Sequence, residues 1–156
     1  MIPSQPIPWP RYALLSFAVG ALLVSHQSLA QEAQGFMALQ PEQLKWSERD
    51  GLPQAVVAGD PSKPGIYVIR VRFAPGRHSD PHFHDQDRYV TVIKGTWWAA
   101  VAPDGDVYDP SKMVPMKAGS FVKHPAFGHH YDGAKDEETI VQIIGMGPVT
   151  TTRLNP

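Results

Sequence analysis

The chain has 156 residues, with 14 basic and 15 acidic side chains and 7 histidines, for a formal net charge of −1 when the histidines are neutral. That balance excludes the basic face of a nucleic-acid binder or of a protein held by charge to an anionic membrane surface. There is no cysteine, so stability has to come from an apolar core and any bound metal, without disulfides.

Residues 1–30 read as an export leader. Arg11 is the only charge there, Tyr12 to Val24 is apolar, and Ser28-Leu29-Ala30 offers small residues at the alternate positions that signal peptidase needs. The apolar run is shorter than the ~20 residues of a spanning helix, so cleavage after Ala30 is expected, with no stable membrane insertion afterwards and a periplasmic or secreted product. Residues 31–54 are irregular in pattern, a lead-in with Leu44 and Trp46 tucked against the body. Residues 55–156 form one domain.

From Gly65 the character changes. Gly65 to Phe73 alternates, with Ile66 and Val68 on one face and Tyr67, Ile69, Val71 and Phe73 on the other, and Pro75-Gly76 stops it. That is a strand. Arg88 to Lys94 and Thr96 to Val101 are two more, parted by Gly95. Pro103-Asp104-Gly105-Asp106 is a hairpin turn into Val107-Tyr108. Phe121 to Lys123 and Thr139 to Ile144 complete the set. No stretch has a helical period, and many short strands with punctuated turns argue for an all-β sandwich or barrel. Alternate residues of a barrel strand face inward, so one of Trp97 and Trp98 lines the interior and the other packs outside or at a homodimer contact. Phe83, Tyr89, Phe121, Phe127 and Tyr131 are expected mostly in the core.

The chemistry concentrates in two histidine clusters. His82 and His84, one residue apart on an extended segment, point their imidazoles the same way. The second cluster, His124, His129 and His130, lies far enough along the chain to bring a third imidazole to the same point. Neutral imidazole suits Fe, Ni, Cu, Zn and Mn, and ligands on rigid strands leave coordination positions open for a substrate.

Gly76, His82, His84 and Gly95 fall on one spaced pattern and Gly119, Pro125 and His130 on another, and the pair of patterns resembles the two motifs of the cupin superfamily. Gly59-Asp60-Pro61, Lys63-Pro64-Gly65, Thr91-Val92, Gly95-Thr96-Trp97 and Gly145-Met146-Gly147-Pro148 extend the likeness to a group of exported single-domain bacterial cupins. The resemblance implies a double-stranded β-helix, a jelly-roll barrel, with a divalent transition metal on His82, His84 and His130. Three-histidine cupins of this kind are similar to thiol or diketone dioxygenases. The chain departs from the motifs where Arg88 stands for the usual glutamate, Phe127 for a glycine and Ala134 for an asparagine.

A guanidinium is donor-only and repels a cation, so Arg88 cannot replace a carboxylate ligand. Its parity with His82 and His84 directs it inward, where a cation needs an anionic partner: Asp85, Asp87 or a bound substrate. Arg88, Trp97 and Phe127 are therefore the expected substrate-binding residues. No catalytic residue is assigned. His78 reads as an approach-loop residue, His129 as pocket wall, and Asp87 has the wrong parity for a ligand. Three functions stay open: a metal-dependent enzyme acting on a small anionic molecule, with oxygenation ahead of isomerisation or elimination; a module that binds a small molecule or metal without turnover; and a structural domain. None involves nucleic acid.

Overall fold

The computed structural model describes residues 36–154, so the leader expected over residues 1–30, with His26, lies outside the described residues. A 3-10 turn at Pro41–Gln43 precedes β1 (Ser47–Arg49), β2 (Leu52–Ala58), β3 (Gly65–Phe73), β4 (His82–His84), β5 (Arg88–Lys94) and β6 (Thr96–Val101). After a long loop come β7 (Val114–Lys117), β8 (Phe121–His124), β9 (His130–Gly133), β10 (Thr139–Gly147) and β11 (Thr151–Arg153). They form two antiparallel sheets, one of six strands in the order β1-β2-β3-β10-β5-β8 and one of five in the order β11-β4-β9-β6-β7.

The core follows from alternation. Tyr67, Ile69, Val71 and Phe73 on β3, Val90 and Val92 on β5, and Val141 and Ile143 on β10 are buried, and they share the interior with Trp97 and Ala99 of β6. Their cross-strand register stacks apolar rows: Ile69 pairs with Ile143, Ile143 with Val90, and Val90 with Val122. The neighbouring row is Val71, Val141 and Val92. Such rows, buried on one face only, fix the register, because a slip by one residue would turn each strand inside out. Trp97 is the interior tryptophan. Trp98 packs outside with Ala100, Met113 and Tyr131, under the Lys135 ammonium at 3.8 Å.

Four expectations change. Residues 31–54 are not irregular throughout, because β1 and the start of β2 form a hairpin there. Its turn places Asp50 and Gly51 at φ 54° and 79°, the left-handed pair that an Asp-Gly hairpin turn needs. Val107-Tyr108 is loop, and the strand partner of β6 is β7, whose Pro115 is tolerated because β7 is the edge of its sheet. Lys123 is not the end of its strand, since β8 runs on to His124. Tyr89, Phe121 and Phe127 are exposed, since Tyr89 and Phe121 sit at the outward parity of β5 and β8, where their rings stack on each other.

Candidate metal and ligand site

His82 and His84 occupy the ends of the three-residue β4, and His130 opens β9 directly opposite His82. The strand alternation buries all three, and their ligand nitrogens lie within 4.8 Å of one another. Each ring is turned by a backbone carbonyl. His82 Nδ1 meets Asp80 O at 2.7 Å, His130 Nδ1 meets Gly128 O at 2.9 Å, and His84 Nδ1 meets Thr150 O at 3.3 Å. A carbonyl accepts only, so Nδ1 carries the proton and donates, and each Nε2 is left with a lone pair that can accept a proton donor or bind a metal.

The electrostatics agree with that protonation state. Burial, then the Arg88 charge, holds His84 far below the ordinary histidine value. Burial, then His82, lowers His130 to about 4. Neutral rings of this kind are what a transition metal requires, and three imidazoles of fixed tautomer fit one.

Arg88, at the start of β5, points inward as its parity predicts. Its Nη1 donates to His84 Nε2 at 2.5 Å. Neither expected carboxylate meets it: Asp85 accepts from the Thr150 amide, and Asp87 accepts from the Ala126 amide while pairing with Lys123 at 2.7 Å. Among the described residues no ion pair includes Arg88. A cavity of about 610 Å³ opens beside it, lined by His82, His84 and Arg88, by Ile69 and Val141 of the six-stranded sheet, and by His78.

Two of the expected substrate-binding residues do not line the cavity. Phe127 is 64% exposed and packs near Phe83, with ring centroids 5.9 Å apart, outside the cavity. Its φ of 61° shows why the cupin pattern has glycine there: the turn needs a left-handed residue, and a side chain in that conformation is swung to the surface. Trp97 is buried in the core below the cavity, its ring 5.6 Å from His124. His129 is a surface residue paired with Asp106 at 2.7 Å and is no pocket wall. His78 stacks on Tyr108 at 3.9 Å.

Sequence reasoning gave no role to His124 or Tyr67, and both belong to this region. His124 is buried with its ring centroid 4.0 Å from that of His130, and burial, then His130 and Arg88, lowers it to about 2. Its signal was parity: on β8, Val122 and His124 share the inward face.

No family model and no curated protein matches the chain. Solved structures do. A sugar phosphate isomerase of the cupin superfamily from Silicibacter pomeroyi aligns with a TM-score of 0.57 at 20% identity, covering 76% of this chain and 82% of that one. The DMSP lyase DddQ from Ruegeria pomeroyi aligns with a TM-score of 0.60 at 11% identity, over 74% of this chain and 63% of that one. An uncharacterised protein with a double-stranded β-helix domain from Klebsiella pneumoniae gives 0.58 at 15% identity, over 74% and 94%. The neighbours thus include enzymes. Two antiparallel sheets whose arrangement these neighbours share give the chain the double-stranded β-helix fold of the cupins.

Proposed function

We propose that this is an exported, metal-dependent cupin that acts on a small anionic molecule, with His82, His84 and His130 as the metal ligands and Arg88 as the anion-binding group. The observation that carries the reading is the set of three buried imidazoles whose tautomers are fixed by Asp80, Thr150 and Gly128 so that their lone pairs face one another. A bound divalent metal would supply Lewis acidity or oxygen activation at the floor of the cavity. The chain's own residues would orient the substrate: Arg88 by charge, and Ile69 and Val141 by excluding water from one side. Oxygenation stands ahead of isomerisation and elimination in this proposal because of the three-histidine donor set. An isomerase acting on a sugar phosphate and a DMSP lyase among the neighbours support an enzyme with a small substrate. Export rests on the leader read in residues 1–30, with a mature chain starting at Gln31.

One observation favours binding without turnover. Arg88 Nη1 uses the His84 lone pair that a metal would need, so metal has to displace a charged hydrogen bond before it can be held by all three rings. Metal content of the purified protein tests the metal site, and oxygen uptake with small thiols, diketones and phenolic acids then separates turnover from binding. His82→Ala should lower metal occupancy at least tenfold, while His129→Ala, one residue from a proposed ligand but on the surface, should leave it unchanged. Equal occupancy in the two variants, or no metal in the wild type after reconstitution, would sink the metal reading.

A further inference from the structure

Four buried side-chain polar atoms among the described residues lack a hydrogen-bond partner: Tyr67 Oη, Arg88 Nε, Trp97 Nε1 and His124 Nε2. They are not scattered. Register places Tyr67 opposite Gly145, Gly145 opposite Arg88, and Arg88 opposite His124, so three of the four residues stand in one row across β3, β10, β5 and β8. The fourth, Trp97, reaches across from β6 to the His124 ring. Gly145 is the gap in the row. A Cβ there would lie 2.5 Å from Tyr67 Oη, so the hydroxyl rests over the bare backbone of the residue that separates it from Arg88 in the row.

Buried polar groups in native proteins nearly always find partners, and a cluster of exceptions marks a place where something else binds. The chemistry of this cluster is one-sided. Arg88 Nε–H and Trp97 Nε1–H can only donate, and Tyr67 Oη–H and His124 can donate. What is missing is an acceptor. The row carries one fixed cation, which suits a single negative charge, and its floor is closed, with Tyr67 0% and Trp97 1% exposed. The single fixed charge favours a monoanion over a dianion. Access is through Arg88, the member of the row that lines the cavity.

We infer that Tyr67, Arg88 and His124, with Trp97 beside them, receive the carboxylate group of a small organic acid, and that the seated carboxylate draws Arg88 away from His84. This rests on the proposed function, whose substrate class it names, yet it concerns groups that exist without metal. A carboxylate oxygen is a better acceptor for a guanidinium than a neutral imidazole. Arg88 would therefore exchange its bond to His84 for one to the ligand, and the His84 lone pair would become free.

The test is a titration of the metal-stripped full chain, followed by NMR on the Trp97 indole Nε1–H, which every variant retains, with acetate, propionate, acetamide and inorganic phosphate as probes. Acetate and propionate should saturate. Acetamide and phosphate should not at tenfold higher concentration. Tyr67→Phe should weaken acetate about tenfold, as expected for one hydrogen bond to a charged group, with an unchanged or raised melting temperature because it deletes a hydroxyl that has no partner. Arg88→Gln should abolish saturation, and His129→Ala should leave it intact. Acetamide binding as well as acetate, phosphate binding more tightly than acetate, or Tyr67→Phe binding acetate like wild type would each overturn the inference. A Tyr67→Phe protein with a lowered melting temperature and undiminished acetate binding would show the hydroxyl to be structural, which also overturns it. Because no metal is present in the titration, a protein that fails to take up metal but binds acetate as described would defeat the metal reading and leave this one standing.

Discussion

The same four strands, β3, β10, β5 and β8, build two different regions two residues apart. In one row stand Tyr67, Gly145, Arg88 and His124; in the next stand Ile69, Ile143, Val90 and Val122. Each polar member of the first row carries a buried atom with no hydrogen-bond partner among the described residues, whereas the second row and the one beyond it, Val71, Val141 and Val92, are wholly apolar. The difference teaches where stability and chemistry reside. Apolar rows contribute about 25 cal/mol for each Å² removed from water and need nothing further. The polar row costs stability until a ligand completes it, which is the usual trade at a functional site.

The sharpest break in the comparison is a cavity in the apolar half. Phe73 is 2% exposed and also lines the cavity, but at the far end of β3 from Tyr67, so Phe73→Ala should cost about 4 kcal/mol in denaturant unfolding and, being remote from the polar row, leave acetate and metal binding per folded molecule unchanged. A comparable loss of binding would mean that the two regions are mechanically one.

Acid should separate the halves next. His84, His124 and His130 are held neutral, each with its folded value depressed below the ordinary 6.5. As pH falls through 6.5, the unfolded chain takes up these protons first and the folded one does not. Stability present above pH 6.5 is therefore lost progressively toward the folded values, about 4 for His130 and about 2 for His124. Each histidine contributes about 1.4 kcal/mol per pH unit at most, so metal-free protein should lose about 3 kcal/mol between pH 7 and 5.5. The apolar rows contain no group that titrates, and the Phe73→Ala increment should stay constant over the same range. Urea unfolding of wild type and variant at several pH values measures both. A flat wild-type profile would show that the histidines take up protons in the fold.

Much of this division was legible in the sequence, and the parts that were not share a cause. Alternation and stop signals placed β5 and β6 and fixed both ends of β3, and parity turned Arg88 inward. The hairpin of β1 and β2 is missed despite Asp50-Gly51, because β1 is exposed throughout and the buried residues of β2, Leu52 and Ala55, are three apart and break the alternation of a strand. Pro115 hid β7. Phe127 was placed at the ligand by motif position, but its backbone is left-handed and its ring lies outside. Tyr67 and His124 could each be read as inward, yet their meeting depends on the register of strands far apart in the chain, a nonlocal fact that periodicity does not carry.

The smallest effect bears on Arg88, where the polar row touches the histidine cluster. Its Nη1 donates to His84 Nε2, so any metal that uses His84 first breaks a charged hydrogen bond and then sits beside a guanidinium. Arg88→Met keeps most of the apolar stem of the side chain and removes both obstacles. Apparent metal affinity should then rise about tenfold, equivalent to about 1.4 kcal/mol, within the range for one hydrogen bond to a charged group. The same variant should no longer bind acetate. In the wild type, acetate should tighten metal by drawing Arg88 off His84, and by linkage metal should tighten acetate by the same factor. Competition titrations with a chromogenic chelator, with and without acetate, read all of these quantities. If Arg88→Met binds metal no better than wild type and acetate has no influence on metal affinity, then Arg88 and the histidines act independently, and the polar row and the metal cluster are two sites instead of one.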